Sequence, residues 1–421
     1  MLPSESYFEL NAAYWKTFQA QYLCWIYWWV YPWSAVGELS LITEVLTDPR
    51  NPAPAPGQPR PVQLRALTSV RFFAALHVAL YHIVRPFSAW GIFAGFMGAG
   101  HSAVPFFFLL SGFILTYSHA REPETGTGFK KRFYFARFAR IYPLYVLSLI
   151  VVAAAYPPVF DKRIHILAFV GDLAMIQSWS SRMVNFFNIP AWSLSCEAFF
   201  YLVFPFVFLK LRPKSKSNAV WWIVGLWVLA MVPPLIGLYL TPAQAWDESV
   251  MGGLLVFRIR RIPLLMLAEF LAGIPLAWLF LRFRPSRKAA SLLLAMGVVG
   301  LATGLFFAKH IPYVMIANGV LIPFYAMLIL GLCEDNWLTR ALSVGPLVLL
   351  GEASYALYLF HYTFSDWVGN RFGGTDSFVA AAIKIAMLIP ITIGLHLLVE
   401  RPCRKVLLQW WNRKHPRTAR A

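Results

Sequence analysis

The sequence predicts an all-α fold, a polytopic bundle of membrane helices, and three observations support this prediction. Of the 421 residues, 59% are hydrophobic and only 13% are charged, whereas soluble domains carry about 25% charged residues. Several apolar runs reach the ~20 residues that a helix needs to cross a bilayer. These runs are continuous rather than alternating, which excludes a transmembrane barrel and leaves helices as the spanning elements.

We predict about ten membrane-spanning helices. Their approximate ranges are 67–87, 96–119, 134–157, 190–209, 219–240, 262–281, 289–308, 311–332, 345–367 and 377–399. The apolar run 165–179 is too short to cross a bilayer. It is predicted to form a loop that dips into the bilayer or lies on its surface.

The two ends of the chain differ in composition from the predicted transmembrane domain, 65–405. Residues 1–48 contain the run YLCWIYWWVYPW, and Trp and Tyr favour the membrane interface. We therefore predict an interfacial segment there, with a true crossing as the alternative. Residues 49–64 are rich in proline and are predicted to form a semi-rigid linker. Residues 406–421 form a basic tail.

The net charge of +18 is assigned to orientation in the membrane. Lys and Arg gather in 121–140, 210–216, 282–288 and the tail after 400. With ten spans, all of these regions lie on one side, and the positive-inside rule places that side and both termini in the cytoplasm. The expected location is the inner (plasma) membrane. No nucleic-acid-binding motif is present, so nucleic acid is not an expected partner.

Three arginines depart from this pattern, because Arg258, Arg260 and Arg261 fall on the outer side. Either a span boundary slips there, or these arginines bind an anionic ligand. The four cysteines are scattered and form no CxxC motif, so neither a disulfide nor a zinc site is expected. No metal is predicted.

The first span carries ionisable residues, which are costly in lipid and are therefore candidates for function. Arg71 and His82 are eleven residues apart, which places them within about 20° of one helix face and ~16 Å apart along the axis. Arg71 lies near the cytoplasmic mouth and His82 lies deep. A long anionic ligand would suit this face. In the alternative, Arg71 reaches lipid phosphate and His82 bonds a backbone carbonyl.

The third span begins with Arg137 and Arg140, which are neighbours on a helix because they are three residues apart. Guanidinium groups bind phosphate in a bidentate manner and keep their charge at any working pH. The pair alone is also typical of membrane-flanking clusters. Together with Arg71 on the same side, it predicts a phosphate-binding site.

The second and fourth spans contribute polar residues. Glu197 lies about two turns inside the fourth span and shares a face with Ser193 and Tyr201. Its carboxylate is predicted to orient His82 or to take a proton, and the alternative is an interhelical hydrogen bond without chemistry. Ser111 and Gly112, in the second span, are predicted to allow close helix packing.

The ninth span carries a polar stripe formed by Ser354, Tyr358 and His361. These residues are predicted to form a wall that binds an acceptor, or alternatively to hold helices together. Three further buried candidates have no assigned role, namely Glu269, Lys384 and His396.

Taken in order, these motifs resemble those of the acyltransferase 3 family, the membrane O-acetyltransferases of cell-surface glycans. The family's Arg-x10-His corresponds to Arg71 and His82, and its Arg-x-x-Arg to Arg137 and Arg140. Four further motifs match in order: FFFLLSGF at 106–113, W-S-L-x-x-E-x-x-F-Y at 192–201, S-Y-x-x-Y-L-x-H at 354–361, and Glu-Arg-Pro at 400–402. The resemblance covers about 65–405.

The resemblance implies acyl-CoA, in the form of acetyl-CoA, as donor and a hydroxyl of a glycan or a related small molecule as acceptor. Our hypothesis for the mechanism is that the three arginines bind the CoA phosphates and that His82 acts as general base or carries the acyl group covalently. Glu197 would assist His82, and the stripe on the ninth span would bind the acceptor.

Two rival functions use the same residue types. A permease or channel for an anionic solute also needs Arg and His inside the membrane, but it requires access from both sides, whereas the arginines gather on one. A structural scaffold of a glycan-export complex would tolerate the loss of His82.

Overall fold

The fold was examined in a computed structural model that describes residues 64–84, 87–120, 127–155, 163–242, 261–372 and 378–415. The predictions for 1–48 and for almost all of the linker lie outside these residues, as do Arg258 and Arg260. Within the described residues the regular elements are helices, without strands. The prediction of an all-α membrane bundle is confirmed.

The longer α-helices are labelled α1 to α12 in chain order. They are α1 Arg65–Ile83, α2 Ala103–His119, α3 Thr127–Ala155, α4 Arg163–Leu173, α5 Trp192–Val207, α6 Lys216–Leu240, α7 Pro263–Arg282, α8 Arg287–Phe306, α9 Ile322–Leu332, α10 Gly345–Phe372, α11 Phe378–Leu395 and α12 Arg401–Lys414.

The predicted spans all fall on helical structure, although not each on a single helix. Among the described residues, eight segments are long and apolar enough to cross a membrane. The eighth predicted span, 311–332, is broken into Tyr313–Ile316, a 3-10 turn at Gly319–Leu321 and the short helix α9. The ninth is the 28-residue helix α10, whose polar residues lower its hydropathy. The side of the membrane on which each terminus lies stays a prediction.

The segment 165–179 differs from the prediction, because it is largely helical rather than a loop. It contains α4, which has 11 residues, and a 3-10 turn at Gln177–Trp179. At 1.5 Å per residue, α4 is roughly 17 Å long and cannot cross the ~30 Å hydrocarbon core. Met175, with φ of 57°, reverses the chain between the two helical pieces.

Local sequence signals set several helix starts. Ser215 and Ser286 accept hydrogen bonds from the backbone N–H of Asn218 and Ala289, so each serine caps the N-terminus of the helix that follows it. Pro263 occupies the first turn of α7, where its missing N–H costs nothing.

Helix packing brings α1 against α10 and α2 against α7. A Cβ atom on Gly112 would meet the Phe270 carbonyl, and one on Gly273 would meet the Leu109 carbonyl. A Cβ atom on Gly351 of α10 would likewise meet the Thr68 carbonyl of α1. Since these glycines let the backbones touch, the predicted packing role of Gly112 is confirmed.

The last described helix is α12, which follows a π-helical turn at His396–Glu400. Trp411 of α12 stacks on Phe135 of α3, with ring centroids 4.4 Å apart. The exposed apolar side chains concentrate elsewhere, on α6 and α8, and include Trp221 and Leu292. Those two helices therefore have faces suited to lipid, whereas α1, α2, α3, α5 and α10 surround the candidate site.

Candidate functional site

A cavity of about 250 Å³ lies between α1, α2, α3, α5 and α10. We call it the arginine cavity. Its polar lining comprises Thr68, Arg71, Ser111, Arg137, Arg140, Ser193, Glu197, Tyr201, Ser354, Tyr355 and Tyr358. The structure thus brings six of the eight predicted site residues, from four different helices, to one place.

The three predicted arginines all line this cavity. The Arg137 guanidinium lies 5.9 Å from the ring centroid of Phe133 and 6.0 Å from that of Tyr201. Its Nε is buried and has no hydrogen-bond partner within the described part of the chain. A buried cationic N–H without an acceptor is costly. An anionic ligand in the arginine cavity would supply the missing acceptor.

Glu197 is held at the wall of the arginine cavity by two hydroxyl groups. Its Oε1 accepts hydrogen bonds from Ser111 Oγ, at 3.0 Å, and from the Tyr201 hydroxyl. The first bond joins α2 to α5, so Ser111 helps to hold these two helices together as a hydrogen-bond donor, and Glu197 makes the interhelical hydrogen bond that was its predicted alternative. The electrostatic neighbours of Arg71 also include Glu197, which offsets part of the positive charge.

His82 lines a second, smaller cavity of about 40 Å³, which we call the histidine cavity. The other residues of its lining include Val78, Tyr81, His101, Val104, Ile189, Pro190, Trp192, Arg261 and Tyr358. Two residues, Val104 and Tyr358, line both cavities. Arg71 and His82, which share one predicted face of α1, thus line two adjoining cavities, and a long ligand on that face would pass Val104 and Tyr358.

Tyr358 of α10 is fixed in this wall by α5 and the turn before it. Its hydroxyl lies 2.7 Å from Ser193 Oγ and 3.1 Å from the Pro190 carbonyl oxygen. Spacing along α1 placed Arg71 and His82 on one face, but it carried no information about a ring entering from α10. This ring divides the face into two compartments.

Glu197 and His82 therefore face different cavities. The prediction that Glu197 orients His82 gains no support from this placement, because the carboxylate lies with the arginines. The nearest aromatic neighbours of His82 come instead from α1 and α10. Its ring centroid is 5.2 Å from that of His361 and 5.3 Å from that of Tyr362.

The predicted acceptor wall on α10 is divided in the same way. Ser354 lines the arginine cavity and its hydroxyl donates to the Gly351 carbonyl at 2.7 Å. Tyr358 lines both cavities, whereas His361 lies beside His82. The three side chains do share a stripe, but seven residues of helix rise by ~10 Å, which carries His361 past the arginine cavity.

Sequence reasoning missed most of the histidine cavity. Arg261 is 7% exposed, donates to Asn185 Oδ1, and lies 5.6 Å from the ring centroid of Trp192. The signal for Arg261 in the sequence is its place on the outer side of the predicted topology, where basic residues are otherwise scarce. The packing of His101 and Tyr81, with centroids 5.3 Å apart, left no periodic trace in the sequence.

His396, which has no role assigned from the sequence, pairs with Glu400. The Oε2 atom of Glu400 lies 2.9 Å from His396 Nδ1. His396 Nε2 lies 3.6 Å from a carboxylate oxygen of Glu352. His396 thus joins α10 to the π-helical turn after α11, next to the end of the arginine cavity that carries Arg140.

Comparison with known proteins places the chain in a family. Residues 64–399 match the family described as an acyltransferase domain, acyltransferase 3. The chain is 32% identical over 379 residues to the acyltransferase MdmB of Streptomyces mycarofaciens, across 83% of this chain and 94% of that protein. It is 29% identical over 314 residues to the exopolysaccharide production protein ExoZ of Rhizobium meliloti (strain 1021), across 72% and 89%.

A third relative is longer than this chain. The O-acetyltransferase OatA of Staphylococcus aureus (strain NCTC 8325 / PS 47) is 26% identical over 367 residues, which cover 82% of this chain but 58% of OatA. No solved structure matches. The matched family region contains both cavities and all eight predicted site residues. The chain therefore belongs to the acyltransferase 3 family and is a multi-pass membrane O-acyltransferase.

Proposed function

We propose that this protein transfers an acyl group, in the simplest case acetyl, from cytoplasmic acyl-CoA to a hydroxyl of a glycan or a related small molecule. The observation that carries the proposal is the pair of adjoining cavities, one lined by three arginines and one by His82, with Tyr358 between them. Membership of an acyltransferase family favours this function over a permease or a scaffold.

The arginine cavity suits the donor. Arg71, Arg137 and Arg140 would bind the phosphates, because fixed guanidinium groups recognise phosphate oxygens through paired N–H donors. A cavity of about 250 Å³ has room for the acyl-pantetheine arm rather than for whole CoA, so the nucleotide would remain at the mouth. We place the protein in the inner (plasma) membrane. By the positive-inside rule, the mouth of the arginine cavity then faces the cytoplasm.

The histidine cavity suits the reacting end of the acceptor. Its volume of about 40 Å³ holds only a few water-sized groups, which fits a hydroxyl and the atoms next to it but not a whole sugar. Trp192 and Arg261 would contact the ring and oxygen atoms beside that hydroxyl. The name of ExoZ, an exopolysaccharide production protein, supports a glycan as one acceptor class.

In the proposed reaction His82 takes the proton of the acceptor hydroxyl while the hydroxyl oxygen attacks the carbonyl carbon of the thioester. The C–S bond then breaks, and the CoA thiolate takes the proton from the His82 imidazolium. The net change is one ester formed and one thioester lost, with no other reactant. A covalent acyl-histidine is the alternative route, and it would add one step at the same nitrogen.

The test is release of free CoA from labelled acetyl-CoA by the purified protein in nanodiscs, with and without glycan acceptors. His82→Ala should lower turnover by about 10²- to 10⁴-fold, the usual contribution of a general base, and should keep its affinity for CoA. Near-normal turnover by the folded variant would remove His82 from the mechanism. A wild-type protein that cleaves no acyl-CoA would refute the donor.

His77→Gln is the matched control. His77 is the other histidine on α1 and is buried, and its Nε2 lies 2.7 Å from the Phe96 carbonyl oxygen. It lines neither cavity. Since a glutamine amide can reproduce that bond, the control should retain turnover.

A further inference from the structure

His361 is a completely buried histidine on α10, and one of its two ring nitrogens has a hydrogen-bond partner. Its exposure is 0%, and Nδ1 lies 2.8 Å from the Tyr358 carbonyl oxygen. A backbone carbonyl accepts hydrogen bonds and never donates them. The Nδ1 atom must therefore carry a proton, and neutral His361 exposes a lone pair at Nε2.

In the structure, no hydrogen-bond donor among the described residues reaches that lone pair. His361 Nε2 is buried and lacks a hydrogen-bond partner within the described ranges. Leaving a buried polar atom unsatisfied costs about 1–3 kcal/mol. Such an atom persists where a second state of the site makes use of it.

The neighbour of this atom is the proposed base. The rings of His82 and His361 have centroids 5.2 Å apart and planes tilted by 35°. At this centroid distance the two imidazole rings are direct neighbours.

We propose that His361 is a positioning residue for His82. Its Nε2 accepts a hydrogen bond from one ring nitrogen of His82, which fixes the tautomer of His82 and leaves the other ring nitrogen unprotonated towards the acceptor hydroxyl. The same bond holds the imidazolium that forms when His82 takes the proton. His361 thereby fills the place of the third group that orients a catalytic base, which the sequence assigned to Glu197. The inference rests on the proposed function.

Two substitutions separate the two nitrogens of His361. His361→Gln carries its amide oxygen close to the position of Nε2, and His361→Asn carries its amide close to Nδ1. We expect His361→Asn to lower kcat on the order of 100-fold, at the lower end of the range for base catalysis, with unchanged KM for acetyl-CoA. His361→Gln should recover at least ten-fold of that loss.

Equal kcat losses in the two variants would overturn the inference, and so would full activity in both, because a purely structural histidine does not distinguish its nitrogens in this way. His77→Asn, on α1, is the control for a buried histidine bonded to a carbonyl. It should lower thermal stability without lowering kcat.

The wild-type protein provides a check that needs no variant. Nitrogen-15 spectra of histidine-labelled protein should show His361 protonated at Nδ1 and bare at Nε2, and the opposite tautomer would refute the inference. Wild-type protein that fails to cleave acetyl-CoA refutes the proposed function. Normal wild-type cleavage together with an unaffected His361→Asn variant refutes only the role of His361.

Discussion

The hydroxyl of Tyr358 lies 2.7 Å from Ser193 Oγ, and this contact joins α10 to α5 in the wall between the two cavities. The Pro190 carbonyl accepts a hydrogen bond from the same hydroxyl at 3.1 Å. Because Tyr358 lines both cavities, the path from the arginines to His82 passes its ring. Under the proposed function, the position of this side chain controls whether the donor thioester reaches His82.

Tyr358→Phe removes the hydroxyl and keeps the ring. We expect a loss of about 1 kcal/mol in the free energy of unfolding, the usual net value of a hydrogen bond, and Ser193→Ala should lose a similar amount. Since both changes break one contact, their effects should not add in the double variant. Thermal unfolding of the four proteins in detergent measures this, and strict additivity would show that the contact contributes nothing.

Arg137→Ala should chiefly weaken the binding of acyl-CoA. A charge-assisted hydrogen bond contributes about 1.5–3 kcal/mol, which corresponds to a roughly 10- to 100-fold rise in Kd. Arg137→Lys should recover part of this affinity, because it keeps the charge without the bidentate geometry. Calorimetric titration with CoA gives the Kd values.

Lys131→Ala is the control for the loss of one positive charge on α3. Lys131 is exposed and lies outside the lining of the arginine cavity. We expect its Kd for CoA to equal that of the wild type. If the two alanine variants weaken binding equally, the site recognises general positive charge rather than a fixed guanidinium.

Gly112→Ala tests the closest approach of α2 to α7. The added methyl group would meet the Phe270 carbonyl oxygen and the Cα atom of Gly273, so the helices must separate. We expect a loss of about 1–3 kcal/mol, typical of overpacking, together with lower turnover because α2 lines the arginine cavity. Thermal unfolding and CoA release are the measurements.

Gly225→Ala on α6 is the matched control, since nothing lies within 4 Å of its added methyl group. Alanine is a better helix former than glycine by about 0.5–1 kcal/mol. Gly225→Ala should therefore leave thermal stability unchanged or slightly higher. A loss as large as that of Gly112→Ala would mean that helix contact is not the cause.

Asp172, in α4 and outside the candidate spans, should make stability depend on pH. Burial raises the pKa of Asp172 to about 8, although a hydrogen bond from Tyr145 acts in the opposite direction. The unfolded carboxyl group ionises near pH 4, so above that pH the native state binds more protons than the unfolded state. Stability contributed by this group therefore falls as the pH rises from about 4 to about 8.

Asp172→Asn removes this titration with little change in shape. Relative to wild type, the stability gain of the variant should be at least about 1 kcal/mol larger at pH 9 than at pH 5. Thermal midpoints measured between pH 5 and pH 9 test this. A difference between the two proteins that is constant across this range would contradict the prediction.

Most of the site could be identified from the sequence because charged side chains are energetically costly inside a membrane. Arg71, Arg137, Arg140 and Glu197 stand out within apolar runs, and all four line one cavity. The broken helix at 311–332 could not be seen in the same way. Its apolar composition is that of a span, and the break at Asn318 depends on how that residue packs.

The sequence by itself determined the fold class, the helical spans and the helix face on which each polar residue lies, because hydropathy and a period of 3.6 residues are local properties. Only the tertiary structure decided which faces meet. It placed Tyr358 between Arg71 and His82, moved Glu197 to the arginines, and set His361 against His82. Those relationships depend on contacts between helices that are far apart in the chain, such as the bond from Ser193 to Tyr358, and no periodicity along one helix encodes them.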